Sequence, residues 1–277
     1  VSNIEWTEQT WNPTTGCDRI SPGCDHCYAL TMAKRLKAMG QAKYQNDGDP
    51  RTSGPGFGIT VHPDVLAEPL RWKKPRKVFV NSMSDLFHAR VPVDFITDVW
   101  RTMQATPQHT YQILTKRAAR LPRVLDRVHE ALGLDDPLPN VWLGTSIETD
   151  DYARRATALR HSLAAVRFIS AEPLLGPLPS LDLDGIDWLI IGGESGPGAR
   201  PMDLAWVRDL LAETDVTGTA PFVKQLGSAW AYDTAWAGKS VAAIGDTKGG
   251  NPKYWPADLR VREYPATPAP HRDSTAA

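Results

Sequence analysis

The only three cysteines of this chain, Cys17, Cys24 and Cys27, stand close together in the spacing C-x6-C-x2-C. An odd number of thiols this closely spaced makes a poor disulfide framework. Thiolates are soft ligands that suit zinc or iron–sulfur centres, and the surrounding Gly16, Pro22 and Gly23 let a backbone wrap an ion. A tetrahedral zinc site would need a fourth ligand, for which His26, His62 and His88 are candidates. A 4Fe–4S cluster held by three protein thiolates would instead leave one iron open to a ligand. There is no second C-x-x-C, and His26, adjacent to Cys27, is badly placed to join the same tetrahedron. The spacing therefore favours iron–sulfur, with zinc as the alternative.

A second set of chemically capable residues follows short apolar runs. Ser82, Ser84 and Asp85 follow Asn81, and Lys116 and Arg117 follow Leu114-Thr115. Ser146 and Glu148 come after Gly144, Glu172 after Ser170, Glu194 after Gly192-Gly193, and Lys224 ends the last run. Loops are polar in any protein. Charge at nearly every run's end further suggests a mouth able to hold a polar, zwitterionic or phosphorylated ligand. In Gly192-Gly193-Glu194-Ser195-Gly196, free backbone amides could meet an anion or an adenine edge, although a tight turn alone would also use these glycines. The glycine spacing is not that of a dinucleotide fingerprint.

The elements that must position these groups are legible as alternation. Runs at 78–81, 111–114, 141–144, 166–170, 188–192 and 221–224 have the length and the β-branched or aromatic content of buried strands, and an earlier strand is predicted within 4–11. Helical patterns lie between them, at 92–106, at 204–212 behind the capping residue Asp203, and at 29–39 directly after the cysteines. Alternating strand and helix predicts parallel strands with right-handed crossovers. The expected class is α/β, a full or partial (β/α) TIM-like barrel of about six to seven strands, although an open doubly wound sheet shares this alternation. The barrel is expected over 1–227, an irregular extension packed on it over 228–264, and a frayed tail over 265–277. Residues 40–60, rich in Gly, Asp and Pro, read as an active-site flap.

Composition bounds the rest. The chain has 277 residues with 31 Lys and Arg against 32 Asp and Glu, a formal charge of −1, which argues against a globally basic nucleic-acid coat. No run approaches the roughly 18 to 20 apolar residues of a membrane span, and no secretory signal is expected from the first residues. Clustered thiols without such a signal predict a cytoplasmic protein. The basic run at 71–77 precedes a strand, so it should lie at the barrel face opposite the cysteines, as a solvated surface.

These residues resemble the radical SAM superfamily, whose members carry three cysteines in the loop after the first barrel strand. The resemblance is closer still to an uncharacterised phage and bacterial three-Cys-motif family. It is carried by Trp11-Asn12-Pro13, Cys24-Asp25-His26-Cys27-Tyr28-Ala29, Asn81-Ser82-Met83-Ser84-Asp85-Leu86-Phe87-His88, Leu114-Thr115-Lys116-Arg117, Glu172-Pro173-Leu174-Leu175-Gly176 and Gly192-Gly193-Glu194-Ser195-Gly196. It implies that Cys17, Cys24 and Cys27 hold a 4Fe–4S cluster whose fourth iron binds S-adenosylmethionine. His26 would then lie against the adenine, Ser82 to Asp85 would meet the methionine amine, and Ser146 and Glu148 would hold the ribose. Gly192, Gly193 and Glu194 join this cofactor set. Two departures from the superfamily pattern are the x6 spacer and Ser82-Met83-Ser84-Asp85 in place of Gly-Gly-Glu.

The function implied is cleavage of S-adenosylmethionine to a 5′-deoxyadenosyl radical, with an electron donor of flavodoxin or ferredoxin type. A nucleotide or nucleic-acid substrate, in DNA modification or repair, is expected at Lys116, Arg117, Glu172, Arg200 and Lys224. The alternative is a noncatalytic zinc- or iron–sulfur-binding module that recognises nucleic acid or a partner protein.

Overall fold

The computed structural model describes residues 4–266. Seven parallel strands form one curled sheet whose spatial order is the chain order: β1 (Gln9–Trp11), β2 (Lys77–Val80), β3 (Thr110–Thr115), β4 (Val141–Ser146), β5 (Val166–Ala171), β6 (Trp188–Gly192) and β7 (Ala220–Gln225). Among the described residues β1 and β7 do not pair, so the sheet is a partial TIM-like barrel rather than a closed one. Every run singled out in the sequence became a strand, because each is short, rich in β-branched or aromatic residues and largely buried.

Helices α1 (Tyr28–Ala38), α2 (Val93–Gln104), α3 (Leu121–Leu132) and α4 (Arg155–Arg160) follow β1 to β4 in turn, α5 (Leu204–Thr217) follows β6, and the six-residue α6 (Ser228–Asp233) follows β7. The Asp203 carboxylate accepts a hydrogen bond from the Ala205 amide at 2.8 Å, which caps α5. That helix outruns its expected end at 212 and stops at Gly218, whose φ of +73° suits a left-handed terminus. No helix links β5 to β6. Pro173, Pro177 and Pro179 break any helical ladder there, and the segment is pinned by buried Leu174, Leu178, Leu181, Leu183 and Ile186.

The strands split the core in two. Tyr111 and Ile113 on β3 face the helices, against Ile96, Trp100 and Leu125. The concave face is aromatic: Trp6, Phe79, Trp142, Phe168, Trp188 and Phe222 pack together. Trp188 is their hub, with the rings of Trp6, Trp142, Phe168 and Phe222 centred 5.6–6.0 Å away, and Tyr264 stacks on it at 5.3 Å.

The C-terminal extension closes the open side. Its residues 261–263 bond to β7, with Val223 N donating to Val261 O at 2.9 Å and Glu263 N to Pro221 O at 2.8 Å. Lys248 then reaches across to Glu5, beside β1, at 2.7 Å. Of the tail expected over 265–277, residues 267–277 lie outside the described part. The basic run at 71–77 leads into the start of β2, at the end of the sheet away from the cysteines.

Candidate functional site

Carboxyl ends of parallel strands gather at one face, and the loop after β1 lies across it carrying Cys17 and Cys24, with Cys27 directly before α1. Two glycines let this loop settle. Gly16 has a φ of +85°, and a Cβ there would come within 2.2 Å of the Gly58 carbonyl oxygen in the 40–60 segment. A Cβ on Gly23 would lie 2.5 Å from Glu148 Cγ. The cysteine loop is therefore pressed between the 40–60 segment and the end of β4.

All three thiols are free and line a single cavity of about 320 Å³. Strand-end residues Asn81, Ser82, Ser84, Asp85, Lys116 and Arg117 share that lining, as do Ser146, Ser170, Glu172, Gly193, Glu194 and Lys224. Trp6, Phe79 and Leu114 form its apolar floor, and Phe57 of the 40–60 segment joins the wall. Burial pushes the Cys17 thiol up to about 12 and that of Cys27 up as well. Ionising them calls for a compensating positive charge, of the kind a bound metal centre provides.

Four carboxylates and their cationic partners organise the mouth. Glu148 is fully buried and accepts from Ser21 Oγ at 2.8 Å, Lys116 Nζ at 2.5 Å and Arg155 Nη1 at 2.9 Å. Burial works to raise its pKa, but these partners outweigh burial and hold the carboxyl below the ordinary range. Glu194 binds the Arg200 guanidinium and accepts from the Arg200 amide at 2.8 Å and His26 Nδ1 at 3.0 Å. Burial opposes its ionisation, yet these bonds hold it at about 2. Arg200 Nη2 in turn donates to Pro22 O at 3.0 Å. Lys224 pairs with Glu172 at 2.6 Å, and Asp85 with Arg117 at 3.2 Å.

The site residues expected from the sequence thus divide. Cys17, Cys24, Cys27, Ser82, Ser84, Asp85, Ser146, Gly193, Glu194, Lys116, Arg117, Glu172 and Lys224 line the cavity. His26, Glu148, Gly192 and Arg200 stand behind it. His26 is half-exposed and paired with Glu194, and Glu148 and Arg200 grip the cysteine loop from outside. Each of the four cations expected to meet phosphate already holds a carboxylate.

Sequence reasoning passed over several residues that the fold brings in. Asp18 accepts from Thr52 Oγ1 at 2.7 Å and Ser53 Oγ at 3.0 Å, tying the cysteine loop to the 40–60 segment, and pairs with Arg90 at 2.9 Å and His88 at 3.0 Å. Asn81 sits at a φ of +65°, 3% exposed, and its Nδ2 has no partner among the described residues while the residue lines the cavity. An Asn ending a strand was the available signal, since Asn tolerates the left-handed region better than most residues.

The donor set fits an iron–sulfur group with three protein ligands. Three unbridged sulfurs share one cavity wall, with a guanidinium bonded to one of them: Arg117 Nη1 donates to Cys17 Sγ at 3.5 Å. A single zinc fits less well. Among the described residues no three His, Cys, Asp or Glu side chains, the three cysteines included, are grouped closely enough to hold one metal ion. The three candidate fourth ligands are engaged elsewhere, His26 with Glu194, His62 with Thr15 Oγ1 at 2.9 Å and His88 with Asp18.

A family model described as "Protein of unknown function (DUF5131)" matches residues 1–253. No curated protein matches the chain. Similar solved structures include spore photoproduct lyase complexed with dinucleoside spore photoproduct and a cysteine-to-alanine mutant of that lyase with the same ligand. Each is 14% identical, with a TM-score of 0.39, over 74% of this chain and 60% of the lyase chain. The chain thus spans less than two thirds of those lyases, and nothing about its activity follows from a likeness of that size.

Proposed function

The chain belongs to the DUF5131 family, and we propose that it is a cytoplasmic iron–sulfur enzyme of radical SAM type. The observation that carries this reading is that Cys17, Cys24 and Cys27 all line one cavity at the carboxyl-terminal mouth of a parallel partial barrel. The motif resemblance to radical SAM and phage three-Cys-motif proteins supports it. No helix among the described residues is long and apolar enough to cross a membrane.

Cys17, Cys24 and Cys27 would hold the cluster. With an external one-electron donor of flavodoxin or ferredoxin type, such a cluster would supply one-electron cleavage of S-adenosylmethionine and hydrogen abstraction from a substrate. The chain's own residues bind and orient. Ser146 and Ser170 are register partners on β4 and β5, and both line the cavity, where they could meet ribose hydroxyls. The Glu172–Lys224 pair offers one charge of each sign, a match for the amine and carboxylate of an amino acid. Glu148 and Arg200 hold the cysteine loop in place, and the aromatic floor excludes water from the reacting atoms.

The substrate is proposed to be a nucleotide or nucleic acid, as in DNA modification or repair. Tyr28, which is exposed at the cavity wall, offers a ring to a base, and Lys224, paired with Glu172, is the cation that could exchange its carboxylate for a phosphate. Binding to single-stranded DNA or RNA should then weaken with salt, at a log–log slope of about −0.7 per phosphate contacted, and weaken further in Lys224→Ala. Undetectable binding at low salt would restrict the substrate to a free small molecule.

Anaerobic reconstitution with iron and sulfide tests the whole reading. Wild-type protein should take up a cluster with an S-adenosylmethionine-sensitive EPR signal and release 5′-deoxyadenosine under dithionite. Alanine at any one of the three cysteines should abolish loading in a folded chain. Full iron loading in such a variant, or tight zinc uptake alone with no 5′-deoxyadenosine, would leave the noncatalytic binding module in its place.

A further inference from the structure

We infer that Arg117 is a positioning residue that tunes the reducing power of the centre held by Cys17, rather than a phosphate-binding residue. The inference rests on the cluster reading above and adds to it a role for one side chain.

Its basis is how the guanidinium is held. Nη1 donates to Cys17 Sγ at 3.5 Å and to Asp85 Oδ2 at 3.2 Å, while Nη2 donates to Asp18 O at 3.2 Å. The side chain is 12% exposed, so its charge acts where water screens poorly. Asp85 is fixed in turn, accepting from Thr115 Oγ1 at 2.7 Å, the Phe87 amide at 3.0 Å and the Lys116 amide at 3.1 Å. One carboxylate thus ties the end of β3 to the turn after β2 and aims the guanidinium at a cysteine sulfur. Among the described residues no other cationic side chain is hydrogen-bonded to a cysteine. A phosphate at Arg117 would have to displace Asp85 and leave that buried carboxylate short of a partner.

Iron–sulfur potentials are set by net charge, burial and hydrogen bonds to the sulfurs. Three thiolates bring negative charge, and the electron accepted from an external one-electron reductant adds more. A cation hydrogen-bonded to one thiolate stabilises the reduced state over the oxidised state, so it should raise the potential. The fork geometry matters, because a lysine ammonium is a point charge that cannot hold Cys17, Asp85 and Asp18 O in one plane.

The test is an EPR-monitored redox titration of reconstituted protein. Arg117→Met should shift the reduction equilibrium at least tenfold toward the oxidised form, a fall of 59 mV for a one-electron couple. Arg117→Lys should fall between wild type and Arg117→Met. Lys224→Met removes a cavity cation that touches no cysteine, and it should shift the equilibrium less than Arg117→Met does. If Arg117→Met assembles no cluster, Arg117→Lys carries the measurement. Equal potentials in wild type and the loaded Arg117 variants would overturn the inference alone, as would a Lys224→Met shift as large as that of Arg117→Met. Wild-type protein that takes up no cluster would instead overturn the reading of the site, and this inference with it.

Discussion

The two ends of the seven-stranded sheet are built from different interactions. At the amino-terminal end and along the concave face, rings of Trp6, Trp142, Phe168, Trp188, Phe222 and Tyr264 pack around one indole. At the carboxyl-terminal end, charged side chains from the loops and strand ends meet in pairs around a cavity. Apolar packing is non-directional, and it stabilises the sheet without specifying where any one atom sits. Buried ion pairs add little net stability because desolvation offsets their attraction, yet each has a narrow geometry. One end holds the barrel together; the other holds the cysteine loop in place.

Substitutions at the two ends should therefore separate stability from site order. Trp188→Ala removes the hub of the aromatic cluster and should cost about 3 to 5 kcal/mol, read from the urea midpoint. Under native conditions it should leave the alkylation rates of Cys24 and Cys27 unchanged. Glu148→Gln should cost about 3 kcal/mol, because Lys116 and Arg155 lose a buried counter-charge. It should also weaken the hold on Ser21, because an amide oxygen accepts more weakly than a carboxylate, and speed alkylation of Cys24 without denaturant. Slow alkylation in Glu148→Gln, or fast alkylation in Trp188→Ala, would break the contrast. The smallest effect is on pH dependence. With the Glu194 carboxyl held at about 2, its stabilisation is complete above the ordinary value of about 4.3 and is lost as pH falls toward 2. Glu194→Gln should flatten that part of the acid limb and leave the neutral midpoint less affected than Glu148→Gln does.

The same contrast explains what could be read from the sequence. Strands announce themselves locally, so runs such as Trp188-Leu189-Ile190-Ile191 marked all seven, and polar residues at their ends marked the mouth. The cysteine spacing marked the loop. Helix α3 was equally local, with Leu121, Val124, Leu125 and Val128 on one side, and its pattern was there to be read. Pairing is not local. Ser21 meets Glu148 across 127 positions, His26 meets Glu194 across 168, and Arg117 meets Cys17 across 100. Nothing in the composition of either partner says which carboxylate a given cation will take. Lys116 and Arg117 therefore looked like free phosphate ligands until the fold supplied Glu148 and Asp85.

The clasp of Glu148 and Arg200 on the cysteine loop also bears on the order of synthesis. Spatial order equals chain order in the sheet, so each strand can dock on its predecessor as the polypeptide emerges. The thiols are nevertheless made early and held late. Glu148 follows Ser21 by 127 residues, and Arg200 follows Pro22 by 178. At about 5 to 20 residues per second, that leaves roughly 6 to 25 s before the first clasp exists and 9 to 36 s before the second. During that interval Cys17, Cys24 and Cys27 belong to a nascent chain without a formed cavity, open to oxidants and to adventitious metal. The cavity wall itself is complete only once Lys224, its last lining residue in chain order, has been made.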